Sequence, residues 1–144
     1  MVMKLAFMLM TSHANKEENM PELKDLIGKI MVKVAHIVEA RGHKILFVTH
    51  DGERYKLWHN LDCCESVVVE DITGRLEDLV GAPITLAEER TNKFNPDGVF
   101  IEYQGSFTWT FYTFATTKGH VDIRWYGESN GCYSEGVDFD FDDE

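Results

Sequence analysis

From residue 30 onward, apolar and polar residues alternate in short runs separated by turn dipeptides, the period of half-buried strands rather than helices. Ile30, Val32, Val34 and Val38 alternate with Lys33 and Glu39, and the run stops at Arg41-Gly42. Lys44 to Thr49 reads as the returning strand, Asp51-Gly52 as a two-residue hairpin turn, and Arg54 to His59 as a third strand. Ser66 to Ile72, rich in β-branched residues, follows a bend at Asn60 to Glu65. Thr91 to Gly105, with Asn95-Pro96-Asp97-Gly98, is a loop carrying a short extended piece at Val99 to Tyr103. Strands at Ser106–Thr116, His120–Tyr126 and Cys132–Phe141 then follow, joined by hairpin turns at Lys118-Gly119 and Asn130-Gly131.

The pattern contains an internal echo. Glu22-Leu-Lys-Asp-Leu-Ile-Gly28 matches Arg75-Leu-Glu-Asp-Leu-Val-Gly81 at a constant offset of 53. Each copy predicts a helical turn ended by glycine and followed by an extended segment, the second being Ile84 to Arg90. The expected fold is therefore α+β and mostly antiparallel β, with two meander-like halves and one or two short helices. Residues 1–20, with four methionines before Met20-Pro21, read as a dispensable or mobile arm. Residues 21–144 read as a single β-rich domain ending in an acidic strand, since 144 residues suffice for one core.

Composition narrows the function classes. The net charge is −11, from 14 Lys and Arg against 25 Asp and Glu, and the last eight residues hold less than half of that excess. Such a balance argues against duplex nucleic acid and anionic membranes, which both need neutralising cations, and permits basic protein partners. Cys63, Cys64 and Cys132 give an odd count, and adjacent cysteines are not expected to bridge each other, so no disulfide framework is predicted. The apolar run Leu5–Met10 is shorter than a signal-peptide core, and no stretch is long enough to span a bilayer. The expected compartment is the cytoplasm.

Three groups of residues could carry chemistry. His59, Asp62, Cys63, Cys64 and Glu65 concentrate metal-competent side chains, and zinc is the metal they would suit, although paired Cys-x-x-Cys spacing is absent. The same run could hold a thiolate beside a base. In Phe107–Phe114 the alternation assigns Phe107, Trp109 and Phe111 to the core face, with Val121, Ile123 and Trp125 beside them. That leaves Asp122, Arg124 and Tyr126 outward near Tyr112 and Tyr133, an arginine among tyrosines that could hold a phosphate and a stacked base. Finally, Val137, Phe139 and Phe141 alternate with Asp138, Asp140 and Asp142. As a strand this places carboxylates roughly 6.8 Å apart on one face. Extended by Asp143, it is either a protected edge or a surface for a basic partner.

The runs Leu57-Trp-His-Asn-Leu-Asp-Cys-Cys-Glu-Ser-Val67 and Trp125-Tyr-Gly-Glu-Ser-Asn-Gly-Cys-Tyr-Ser-Glu135, with Glu70-Asp71-Ile72 between them, resemble an uncharacterised family of small proteins of tailed bacteriophages and prophages. The resemblance covers residues 21 to 141, and Cys132 stands where such proteins often carry an aromatic. It implies a non-virion accessory protein made inside an infected bacterium that binds a host factor, as an anti-defence inhibitor would. The reading that results is a non-enzymatic binding protein without cofactor, directed at a basic host protein or a small nucleotide signal and able to form homo-oligomers. The alternative is a metal- or thiol-dependent enzyme centred on His59 and Cys63.

Overall fold

β-Branched and aromatic residues at alternate positions give eight strands in the computed structural model, which describes residues 20–143. The proposed N-terminal arm, apart from Met20, lies outside the described residues, as does Glu144. The strands are β1 (Met31–Glu39), β2 (Gly42–Thr49), β3 (Arg54–Trp58), β4 (Ser66–Thr73), β5 (Leu86–Asn92), β6 (Ser106–Thr116), β7 (Gly119–Ser129) and β8 (Asp138–Phe141). They form two four-stranded sheets, ordered β1-β2-β3-β8 and β4-β7-β6-β5, and all strand pairs are antiparallel.

The expectation of an α+β fold is corrected by this architecture. The only helical pieces among the described residues are two four-residue 3₁₀ turns, Leu23–Leu26 and Leu76–Leu79. Each is a single i→i+3 turn whose flanking residues are already extended, too short to propagate as an α-helix. The fold is an all-β, two-sheet structure.

The sheets share one core. Ile45, Phe47, Tyr55 and Leu57 from the first join Tyr112, Phe114, Val121, Ile123 and Trp125 from the second, with the Phe47 and Phe114 rings 5.2 Å apart. Burying each such side chain contributes about 1.5–3 kcal/mol.

The offset-53 echo is a true structural repeat. The Gly28 N–H donates to the Ile84 carbonyl (2.8 Å) and the Gly81 N–H to the Met31 carbonyl (2.9 Å), the same bond shifted by 53 in both partners. Bridges Ile27–Ile84 and Met31–Val80 are likewise equivalent, and Ile30–Pro83 pairs a position with its own counterpart. A local two-fold axis therefore runs between the entrances of the two halves. Leu26 and Leu79 are both fully buried, and Gly28 and Gly81 share a φ of 87°. That conformation favours glycine.

Each half is a three-stranded meander whose following strand leaves for the other sheet. β4 pairs with β7, and β8 pairs with β3. Asn130-Gly131 is consequently no hairpin turn, a second correction: residues 130–137 are irregular and carry the chain across, so the strand expected from Cys132 begins only at Asp138.

The two crossovers match. His59 bonds to Glu65 and Ser129 to Glu135, both six residues apart and both carboxylates buried. His59 also reaches from the first crossover to the Gly136 carbonyl of the second at 2.8 Å.

Candidate functional site

Cross-strand partners share a face, and Tyr112 pairs with Ile123 while Phe111 pairs with Arg124. The core face of β6 is therefore Thr110, Tyr112 and Phe114, the reverse of the phase expected from the sequence. Phe107, Trp109 and Phe111 stand on the outer face of the second sheet with Asp122, Arg124 and Tyr126.

That outer face carries a cleft of about 640 Å³, within the usual range for small-molecule sites. Its floor is Phe111, flanked by Arg90 of β5 and Arg124 of β7. The Arg90 guanidinium lies 4.7 Å from the Phe111 ring centre, and that of Arg124 lies 5.4 Å from the Trp109 ring. Asn92 and Asn95 supply amides, and Asp71, Asp97 and Asp122 supply carboxylates.

A β-bulge between Val69 and Asp71 leaves Glu70 without a strand partner opposite Arg124. The Glu70 carboxylate accepts from both Nε and Nη2 of Arg124, and this pairing raises the pKa of the guanidinium. Arg90, by contrast, has no carboxylate partner among the described residues. Asp122 accepts from Thr113 (2.6 Å) and Asp71 from Thr73 (3.2 Å), which fixes these two carboxylates.

One wall of the cleft belongs to the loop 93–105. The corresponding connection in the first half, between β1 and β2, is only Ala40-Arg41, so this loop is what most distinguishes the second half. Its base is built of paired amides. Asn95 and Gln104 exchange hydrogen bonds (3.0 and 2.9 Å), the Trp109 indole donates to Asn95 (2.9 Å), and Gln104 donates to the Tyr126 hydroxyl (2.8 Å). Above this base Phe94, Phe100 and Tyr103 are 70%, 86% and 93% exposed. Three exposed aromatics on an anchored loop are characteristic of recognition surfaces.

Of the tyrosines expected beside Arg124, none lines the cleft with its ring on the outer face. Tyr112 faces the core and donates to Glu89, and burial first, then that bond, raises its pKa. Tyr126 packs 4.6 Å from Trp109 beneath the loop, and its pKa is pushed up to about 12 by burial first and also by Glu128. Tyr133 lies in the second crossover.

The acidic strand is largely neutralised from within. Asp140 accepts from the Trp58 indole (2.6 Å), and buried Asp142 faces Arg54 at 3.1 Å, Lys44 at 3.5 Å and Lys56 at 3.9 Å. Asp138 and Asp143 are exposed. Although its surface is exposed, the carboxylate of Asp138 is partly desolvated by the groups around it, and this first, then Asp140, raises its pKa.

The His59 cluster is structural in its geometry. His59 Nε2 lies 2.7 Å from Glu65, and Nδ1 lies 2.8 Å from the Gly136 carbonyl, so both ring nitrogens are engaged by protein oxygens. Glu65 is held down at about 2, first by the Asp62 N–H, then by His59 and the Cys63 N–H. Its equivalent, Glu135, is opposed by burial, but hydrogen bonds from Ser129, Ser106 and Thr108 prevail and lower its pKa. Among the described residues no three His, Cys, Asp or Glu side chains are grouped to hold a metal ion. Cys63 and Cys64 are joined in a disulfide, against the expectation that they would not bridge, and Cys132 is a free, exposed thiol. Both paired cysteines sit in an irregular bend, free of the ladder bonds that would constrain a strand.

Among the described residues no helix is long and apolar enough to cross a membrane. Neither the curated proteins nor the solved structures give a match to the chain. A family model described as a domain of unknown function, DUF7448, matches residues 24–139, and the chain belongs to that family.

Proposed function

We propose that this DUF7448 protein is a non-catalytic binding protein that takes a nucleotide-class ligand in the cleft on the outer face of the second sheet. The observation that carries the reading is the pair of guanidinium groups, Arg90 and Arg124, that flank Phe111 in one cleft, Arg90 lying against the Phe111 ring itself. Phe111 offers a stacking floor for a base, Asn92 offers an amide for a base edge, fixed carboxylates accept sugar hydroxyls, and Arg90 is available to an anionic group. A basic protein seated on the acidic strand is less supported, because Asp140 and Asp142 are already answered by Trp58, Arg54, Lys44 and Lys56. An enzyme centred on His59 is less supported too, because both ring nitrogens are engaged.

The resemblance to small phage proteins supports a setting in the cytoplasm of an infected bacterium. There an accessory protein of this kind would sequester a nucleotide signal of the host. Native mass spectrometry of protein purified from such cells tests this reading. A retained mass of nucleotide size that is lost in Arg90→Gln is expected. Protein that carries no nucleotide, and whose melting temperature no nucleotide raises, would overturn it.

A further inference from the structure

The outer face of the first sheet gathers cations in a chain of net charge −11. Lys44, Arg54 and Lys56 surround the buried Asp142, one negative charge within 4 Å of three positive ones. At the end of this face, between the β1–β2 turn and the bend after β3, lies a pocket of about 150 Å³ lined by Glu39, Arg41, His43, Lys44, Lys56 and Trp58.

The lining presents hydrogen-bond donors. Arg41 spends one N–H group on the Leu61 carbonyl (3.2 Å), and no described residue takes the others. The Lys56 ammonium sits 3.8 Å from the centre of the Trp58 ring, and among the described residues its charge partner is Asp142 at 3.9 Å. His43 Nδ1 accepts from the Val69 N–H (3.2 Å) and faces His36 Nε2 (3.0 Å), so its proton is on Nε2, for which no described residue is an acceptor. Among the described residues the lining holds one carboxylate, Glu39, whose side chain is 53% exposed and stands 3.7 Å from Lys44.

Donors without acceptors around an aromatic wall match an acceptor-only group with several oxygens. We infer that this pocket is an oxyanion site for a phosphate group, free or as the end of a phosphomonoester. It is separate from the cleft on the other sheet.

A ¹H–¹⁵N NMR titration with inorganic phosphate, repeated with glycerol phosphate, tests the assignment. The Trp58 indole and the amides of residues 41–44 should move saturably. Arg41→Gln and Lys56→Gln, one in a turn and one in a strand, should each weaken the site by roughly tenfold. Arg75→Gln, which removes an exposed cation outside the pocket, should not. Tighter binding of glycerol phosphate than of phosphate would identify a phosphomonoester as the natural source, and the reverse would identify the free ion. Shifts that never saturate, or that gather at Arg90 and Arg124 instead, would overturn the pocket. Only the second of these results would leave the cleft supported.

Discussion

Replacing Gly127 by alanine tests the crossover that defines this fold. A Cβ at Gly127 of β7 would stand 2.1 Å from the Glu135 carbonyl oxygen and 2.9 Å from its carbonyl carbon. A carbon–oxygen contact needs roughly 3.3 Å, so the second crossover would have to retreat by about 1 Å. It is poorly placed to do so. The Glu135 side chain is held by Ser129 and Thr108, and the neighbouring Gly136 carbonyl by His59. Overpacking of this kind costs about 1–3 kcal/mol, and an obstacle made of anchored backbone points to the upper end. In a domain of this size that is a fall of roughly 10 °C in melting temperature. The control is Gly136→Ala, whose Cβ would meet only the Ser134 hydroxyl at 3.8 Å and should change stability by less than about 0.5 kcal/mol. Thermal unfolding followed by circular dichroism measures both. Equal melting temperatures for the two variants would refute the reasoning.

Three further outcomes follow from the same contacts. Burial lowers the pKa of His36 and of His43 below 6.5, so the unfolded chain takes up protons first. Their contribution is complete above pH 6.5 and declines as pH falls below it; a melting profile that declines as steeply between pH 7 and 5 in His36→Gln would contradict this. Glu65, lowered from 4.5 to about 2, contributes stability that is full above pH 4.5 and lost as pH falls through about 2. Glu65→Gln should therefore flatten the acid limb of the stability profile measured by urea unfolding. Asp142→Asn leaves Arg54, Lys44 and Lys56 facing one another and should cost roughly 3 kcal/mol in the same assay.

Strand positions were legible because turn dipeptides and period-two alternation are local signals. The offset-53 echo was legible for the same reason, and it marks a real two-fold relation between the halves. What local signals cannot give is phase and partner. In Phe107–Phe114 both phases carry aromatics, so alternation alone could not say whether Phe111 or Tyr112 faces inward. Pairing with β7 decides it, by setting Tyr112 beside Ile123. That error of phase hid Phe111 as a cleft floor and, with it, Arg90, whose only sequence signal is its place in an extended segment. Arg124 was found because the regular alternation of Val121, Ile123 and Trp125 with Asp122, Arg124 and Tyr126 assigns it to the outward phase.

The exchange of β4 and β8 between sheets was equally hidden, since Asn130-Gly131 favours a hairpin locally and only tertiary pairing overrides it. A signal did exist in the six-residue spacing shared by His59–Glu65 and Ser129–Glu135. The acids of the last strand read as free because Lys44, Arg54 and Lys56, which face them, lie far away in the chain.

The central claim is that the outer cleft binds a nucleotide-class ligand on Phe111. Isothermal titration with the common nucleoside monophosphates, comparing the native chain with Phe111→Ala, tests it most directly. Stacking on an aromatic contributes about 1–3 kcal/mol, so saturable binding weakened at least roughly tenfold by the substitution is the predicted result. Binding of equal strength to both proteins, or no binding of any nucleotide to the native chain, would contradict the account.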